Sequence, residues 1–117
     1  MSKQRGMDSI NEYYQIIYPI LKEYADIPYR YGEVKRHLVV SEDRLHYLFM
    51  TWGWENRKRL HGCIVHLEVI NDKVWIHEDG LEDGIANDLV RAGIPKDKIV
   101  LGFHPPEVRT HTEFAVN

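Results

Sequence analysis

The sequence predicts a single α+β domain, an antiparallel β-meander of about four to five strands packed against a long N-terminal helix and a short helix in the C-terminal half. Three observations carry this. Apolar residues recur at helical spacing between Ile10 and Tyr24. From Glu33 to Ile76 the chain changes to short β-prone runs divided by polar breaks, the pattern of consecutive hairpins. After Asp79-Gly80 a second, shorter helical stripe begins. The length of 117 residues suits one domain with one core, so residues 1–117 are assigned to one unit. With 44% hydrophobic residues, three Trp and seven Tyr, that core can be filled without a metal or a disulfide.

Met1 to Met7 is polar and basic with nothing to bury, so a flexible arm is expected there. The first helix then spans about residues 8–26. Ile10, Tyr13, Tyr14, Ile17, Leu21 and Tyr24 share one face, Asp8 or Ser9 offers an acceptor to the first turn, and Pro28 follows the end. Pro19 removes a backbone donor inside the helix, which predicts a kink or a solvent-facing bend.

Val34 to Val40 reads as the first strand and Leu45 to Trp54 as the second, joined by Ser41-Glu42-Asp43-Arg44. Both parities of the second strand are apolar, with Leu45, Tyr47 and Phe49 on one side and Leu48, Met50 and Trp52 on the other. Burial of both faces is expected, by the helix and by another subunit. Glu55 to Lys58 turns the chain into a third strand, Leu60 to Ile70. Asn71-Asp72 tolerates positive φ and makes a two-residue hairpin loop into the fourth strand, Val74 to His77. Leu81, Ile85, Leu89 and Val90 define the second helix, with Gly84 inside it and Gly93 as a left-handed cap. Ile99 to Phe103 is a short strand or extended segment, and the tail beyond Pro106 is mostly irregular.

Fifteen Lys and Arg against eighteen Asp and Glu give a net charge of −3, which disfavours unaided DNA binding because phosphates call for a basic surplus. The single cysteine, Cys63, excludes an intrachain disulfide, and the N-terminus lacks a long apolar stretch. A cytoplasmic protein is expected.

Seven histidines raise the question of a metal, but their spacing does not answer it. His61 and His66 are an odd number of residues apart, so on a regular strand they face opposite ways. No paired cysteines and no His-Glu-x-x-His helix are present, and neither a metal site nor a cofactor is expected. Glu78, Asp79, Glu82, Asp83 and Asp88 sit where a turn enters a helix, where capping and the helix dipole favour carboxylates. Cys63 lies mid-strand as a small hydrophobe. No catalytic residues are assigned. Two surfaces remain as candidates. Phe103, His104, Pro105, Pro106, Glu107 and Arg109 surround a stiff Pro-Pro step that can present contacts to a partner. Arg57, Lys58 and Arg59 are the candidate nucleic-acid contact, weighed against a solvated strand turn.

Trp75-Ile76-His77-Glu78-Asp79-Gly80, Gly84 to Val90, Gly93-Ile94-Pro95-Lys96-Asp97, Leu101 to Pro106 and Phe114-Ala115-Val116 stand in fixed order, after Tyr47, Gly53-Trp54 and Gly62-Cys63. This series, spread over most of the chain, resembles the fdxN element excision controlling factor family of XisI type. The resemblance implies an accessory role in programmed excision of a DNA element in cyanobacteria, beside a recombinase and a nuclease-like companion of XisH type. It supplies no catalytic residues. With the acidic balance, the expectation is a non-enzymatic regulatory factor, a homo-oligomer that acts through contact with the XisH-type partner. The alternatives are a direct DNA-binding architectural module using Arg57, Lys58 and Arg59, and a metal-dependent nuclease using Glu78, Asp79 and Asp83.

Overall fold

The structure, a computed structural model, describes the backbone of residues 2–27 and 33–117, and side chains from Ser9 onward within those ranges. The expected arm and Pro28 fall on residues whose side chains or placement lie outside the described ones. Helix α1 spans Ser2–Ala25, so it starts earlier than expected and Asp8 and Ser9 lie within it. Its stripe is the expected one, with Tyr13, Ile17 and Leu21 buried. Pro19 is exposed and the helix continues through it, because a proline on the solvent side leaves the packing face untouched.

Five strands follow: β1 (Glu33–Val40), β2 (His46–Glu55), β3 (Lys58–Ile70), β4 (Lys73–Asp79) and β5 (Ile99–Leu101). They lie in chain order in one sheet, and the first four form the expected antiparallel meander. The fifth differs. β5 runs parallel to β4, since helix α2 (Ile85–Arg91) lies between them and carries the chain back across the sheet. The sheet is therefore mixed, although the α+β class holds.

Two hairpins turn on paired positive φ. Asn56 and Arg57 have φ of 49° and 68°, and Asn71 and Asp72 have 49° and 65°, the geometry that matches strand twist. The second was expected. The first shortens the expected loop, so Glu55 and Lys58 pair within the ladder.

Gly84 is corrected from helix interior to N-cap of α2, at φ 79°. Asp79 does the capping from a distance: its carboxylate accepts from Ile85 N at 2.8 Å and from Leu81 N at 3.3 Å. The other end closes as a Schellman motif, with Ile94 N donating to Leu89 O and Gly93 N to Val90 O, both at 3.0 Å. Leu89 and Ile94 are both buried there.

The tail is more ordered than expected. Pro106–Arg109 forms a single helical turn, α3, with Pro105 at its N-cap, where a first-turn proline forfeits no bond. Beyond it Ala115 bridges Val100 in parallel, and Ala115 N donates to Ile99 O at 2.9 Å. The core lies between α1, α2 and one sheet face, around Ile17, Leu21, Tyr47, Phe49, Leu67 and Ile76. Two polar clamps tie the layers. Tyr13 Oη donates to Asp72 O in the β3–β4 turn. Tyr24 Oη donates to Asp88 Oδ2 on α2 at 2.6 Å, a bond that, with burial, pushes the phenol up to about 12. Among the described residues no helix is long and apolar enough to cross a membrane.

Candidate functional site

The sheet face opposite the helices carries the chain's unusual side chains, and the register assigns them to it, since cross-strand partners point the same way. In β3 the pairing slips between Phe49–Val65 and Met50–Cys63, leaving Ile64 as an inserted residue. The bulge cancels the odd spacing, so His61, opposite Trp52, and His66, opposite Leu48, share one face. This corrects the expectation from parity. The two remain separated, because Leu48 and Trp52 stand four residues apart, about 13 Å along a strand. A second slip occurs in β4, where Leu67 pairs Ile76 and His66 pairs Glu78, so His77 is the inserted residue.

Five of the seven histidines thereby gather on this face in two groups. In the first, the His37 ring lies flat on Trp52, with centroids 3.7 Å apart and planes at 8°, and His61 adds a third ring 6.2 Å from Trp52. In the second, His46 Nδ1 and His66 Nε2 face each other at 3.1 Å. Glu68 joins the remaining members, with one carboxylate oxygen 2.9 Å from His77 Nε2 and the other 3.4 Å from His46 Nε2. Burial holds the His66 imidazole below its usual range, and the neighbouring His77 and His46 add to the effect. Among the described residues no group of three or more His, Cys, Asp or Glu side chains is arranged to hold a metal.

The proline segment borders the same face. Phe103 is 45% exposed and Val108 38%, while Pro105, Pro106 and Glu107 also face solvent. The His104 ring is half-buried and meets Phe103 at 4.5 Å. Arg109 has a different role. Its Nε donates to His104 O at 2.9 Å, its Nη1 to Val116 O at 3.1 Å, and its guanidinium lies 5.1 Å over the Trp75 ring. Arg109 therefore fastens the turn and the tail to the sheet, and the outward set is Phe103, Pro105, Pro106, Glu107 and Val108.

Arg57, Lys58 and Arg59 are not brought together. Arg57 sits in the hairpin turn, Lys58 and Arg59 are successive strand residues that point to opposite faces, and Arg59 lies over Trp54 at 5.6 Å. Glu78 and Asp79 are likewise divided. Asp79 spends both oxygens on backbone amides of the α2 entry, and its strand neighbour Glu78 faces the opposite side. Cys63 donates to Val65 O at 3.2 Å, and burial raises its thiol, against a role as nucleophile.

Residues 7–116 match the family described as XisI protein. The chain belongs to this family. Two solved XisI structures from Anabaena variabilis share the fold. An XisI-like protein is 28% identical, with a TM-score of 0.84 over 92% of this chain and 99% of its own. The fdxN element excision controlling factor XisI is 36% identical, with a TM-score of 0.78 over 93% of this chain and 99% of its own. Comparison with curated proteins finds no match. The XisI likeness thus covers sheet, helices and C-terminal turn together. The histidine face was not legible from sequence, because a bulge reverses parity without a composition signal. Only cross-strand pairing would have joined His46 to His66.

Proposed function

We propose that this chain is a non-enzymatic regulatory factor in excision of a DNA element, acting by contact with a nuclease-like partner of XisH type. The observation that carries this is the turn at Phe103 to Val108, where an exposed aromatic, two prolines and a valine are held rigid by Arg109. Ordering such a surface before binding lowers the entropic cost of association. The name of the 36% identical relative, an excision controlling factor, supports the regulatory reading. The placement of Glu78 and Asp79 on opposite faces, with both Asp79 oxygens on backbone amides, weighs against the nuclease alternative, and the scattering of Arg57, Lys58 and Arg59 weighs against the DNA-binding one.

The test is co-expression with the XisH-type neighbour and purification through a tag on that neighbour. A stable complex that changes nuclease activity, and that is lost on Phe103→Asp, is expected. Absence of a complex at micromolar concentration sinks the reading, and a salt-sensitive gel shift by the chain alone would favour DNA binding instead. Self-association is the second part of the proposal: Val39 lies on the uncovered sheet face, 44% exposed, and Trp54 near the hairpin end is 50% exposed. Light scattering with Val39→Lys as the control measures it.

A further inference from the structure

We propose that the uncovered sheet face seats a second copy of this chain, packed face to face about a two-fold axis that crosses the strands at Met50. This rests on the self-association reading above and deepens it by naming the surface and its orientation. The middle of the face is apolar: Leu48, Met50 and Trp52 of β2 lie between Val39 on β1 and Cys63 on β3, on the side away from the helices. Charged residues stand toward its two ends. An apolar centre with a polar rim is the anatomy of a protein interface.

The two ends differ in sign, and that difference identifies the occupant. Beside His46 and His66 stand Glu68 and Glu78, whereas beside Trp52 and Trp54 stand Lys35 and Arg59, with Glu33 as a counter-charge. Two sheets that pack face to face by symmetry have their axis in the plane between them. An axis along the strands would set acidic end on acidic end, at a cost. An axis across the strands exchanges the ends. His46 and Trp54 each lie four residues from Met50, so Glu68, opposite His46, comes to the level of the second copy's Arg59, opposite Trp54, with both on β3. The same pair forms again on the other side of the axis. A face that is acidic at one end and basic at the other is thus complementary to itself, which favours a second copy over an unrelated protein. Three strands over the nine residues His46 to Trp54 give a flat footprint of about 430 Å² per copy. That is the size of a transient contact, so the dimer is reversible, with dissociation in the micromolar range.

The experiment is sedimentation velocity of the full chain at neutral pH, from micromolar to millimolar concentration. A dimer that dissociates on dilution is expected. Arg59→Glu and Glu68→Arg should each weaken it at least about tenfold, because every reversal acts twice in a symmetric pair. The doubly substituted chain should return to within about threefold of the original affinity, since the exchanged charges attract again. In the unsubstituted protein, dilution should shift the methyl resonances of Val39, Leu48 and Met50 and leave those of Ile17 and Leu21, buried in the helix-side core, in place. That readout needs no variant to fold. A dimer indifferent to both reversals, reversals that weaken it without mutual rescue, or resonance shifts confined to another surface would each overturn this arrangement while self-association stands. A chain that stays monomeric at millimolar concentration would remove both.

Discussion

Two tyrosines show how burial of the same hydroxyl has opposite consequences. The Tyr47 ring is fully buried, and its hydroxyl meets no partner among the described residues; burial, opposed by the nearby Arg44 charge, pushes it up to about 12. An unpaired buried hydroxyl costs about 1–3 kcal/mol, so Tyr47→Phe is expected to raise stability by about 1 kcal/mol in denaturant unfolding. Tyr24 Oη instead donates to Asp88 at 2.6 Å, and Tyr24→Phe should lower stability by about 1–2 kcal/mol. Both folded phenols lie above the ordinary value of 10.0, at about 12. Between those values the unfolded chain has released protons that the folded chain keeps, so this part of stability is complete below pH 10 and declines toward pH 12. Ultraviolet titration should show Tyr13, Tyr24 and Tyr47 ionising above pH 10, Tyr24 and Tyr47 near pH 12. Ionisation of all seven in one step near pH 10 would contradict this.

At the scale of elements, two glycines separate backbone conformation from crowding. Gly93 has φ 115° with nothing within 4 Å of an added Cβ, so Gly93→Ala carries only the conformational cost, about 1–2 kcal/mol. Gly53 has φ 150°, and a Cβ there would stand 2.0 Å from Glu33 O and 2.6 Å from Val34 Cα. Because the obstacle is the backbone of β1, Gly53→Ala must displace that strand, and overpacking of about 1–3 kcal/mol is added to the conformational term. Thermal unfolding should rank Gly53→Ala well below Gly93→Ala, and equal effects would refute the argument. Gly93 was legible in the sequence because a C-cap has local neighbours, Leu89 before it and Pro95 after it. Asn71-Asp72 was legible for the same reason. Gly53 and the bulges at Ile64 and His77 were not, since each is set by pairing with another strand, and Gly84 was not, because its place depends on the Asp79 carboxylate reaching past the turn to Ile85 N. The parallel β5 belongs with them: three apolar residues, Ile99 to Leu101, state a strand but not its direction.

On the scale of the whole molecule, the uncovered sheet face and the proline turn meet at one residue. Arg109 reaches Trp75 on the sheet, His104 O in the turn and Val116 O in the tail. Sequence indicated the turn as a surface but included Arg109 among its contacts, because a basic residue beside Pro-Pro does not reveal which acceptors will be in reach. If Arg109 holds the segment, Arg109→Ala should leave α1, β2 and β3 protected while amide exchange rises through Gly102 to Val116. Global stability should fall by only about 1–2 kcal/mol, since the bonds are partly solvent-exposed. Arg109→Lys should not restore protection, because an ammonium lacks the planar fork that serves two carbonyls while lying over a ring. The consequence for binding follows from order, not from lost contact area. Capture of the proposed XisH-type partner should weaken in Arg109→Ala even though Phe103, Pro105 and Pro106 are all retained, because the loosened turn must be re-ordered on association. Exchange protection unchanged by Arg109→Ala would show that the turn is rigid without it, and would remove the physical basis for treating this segment as a preformed contact surface.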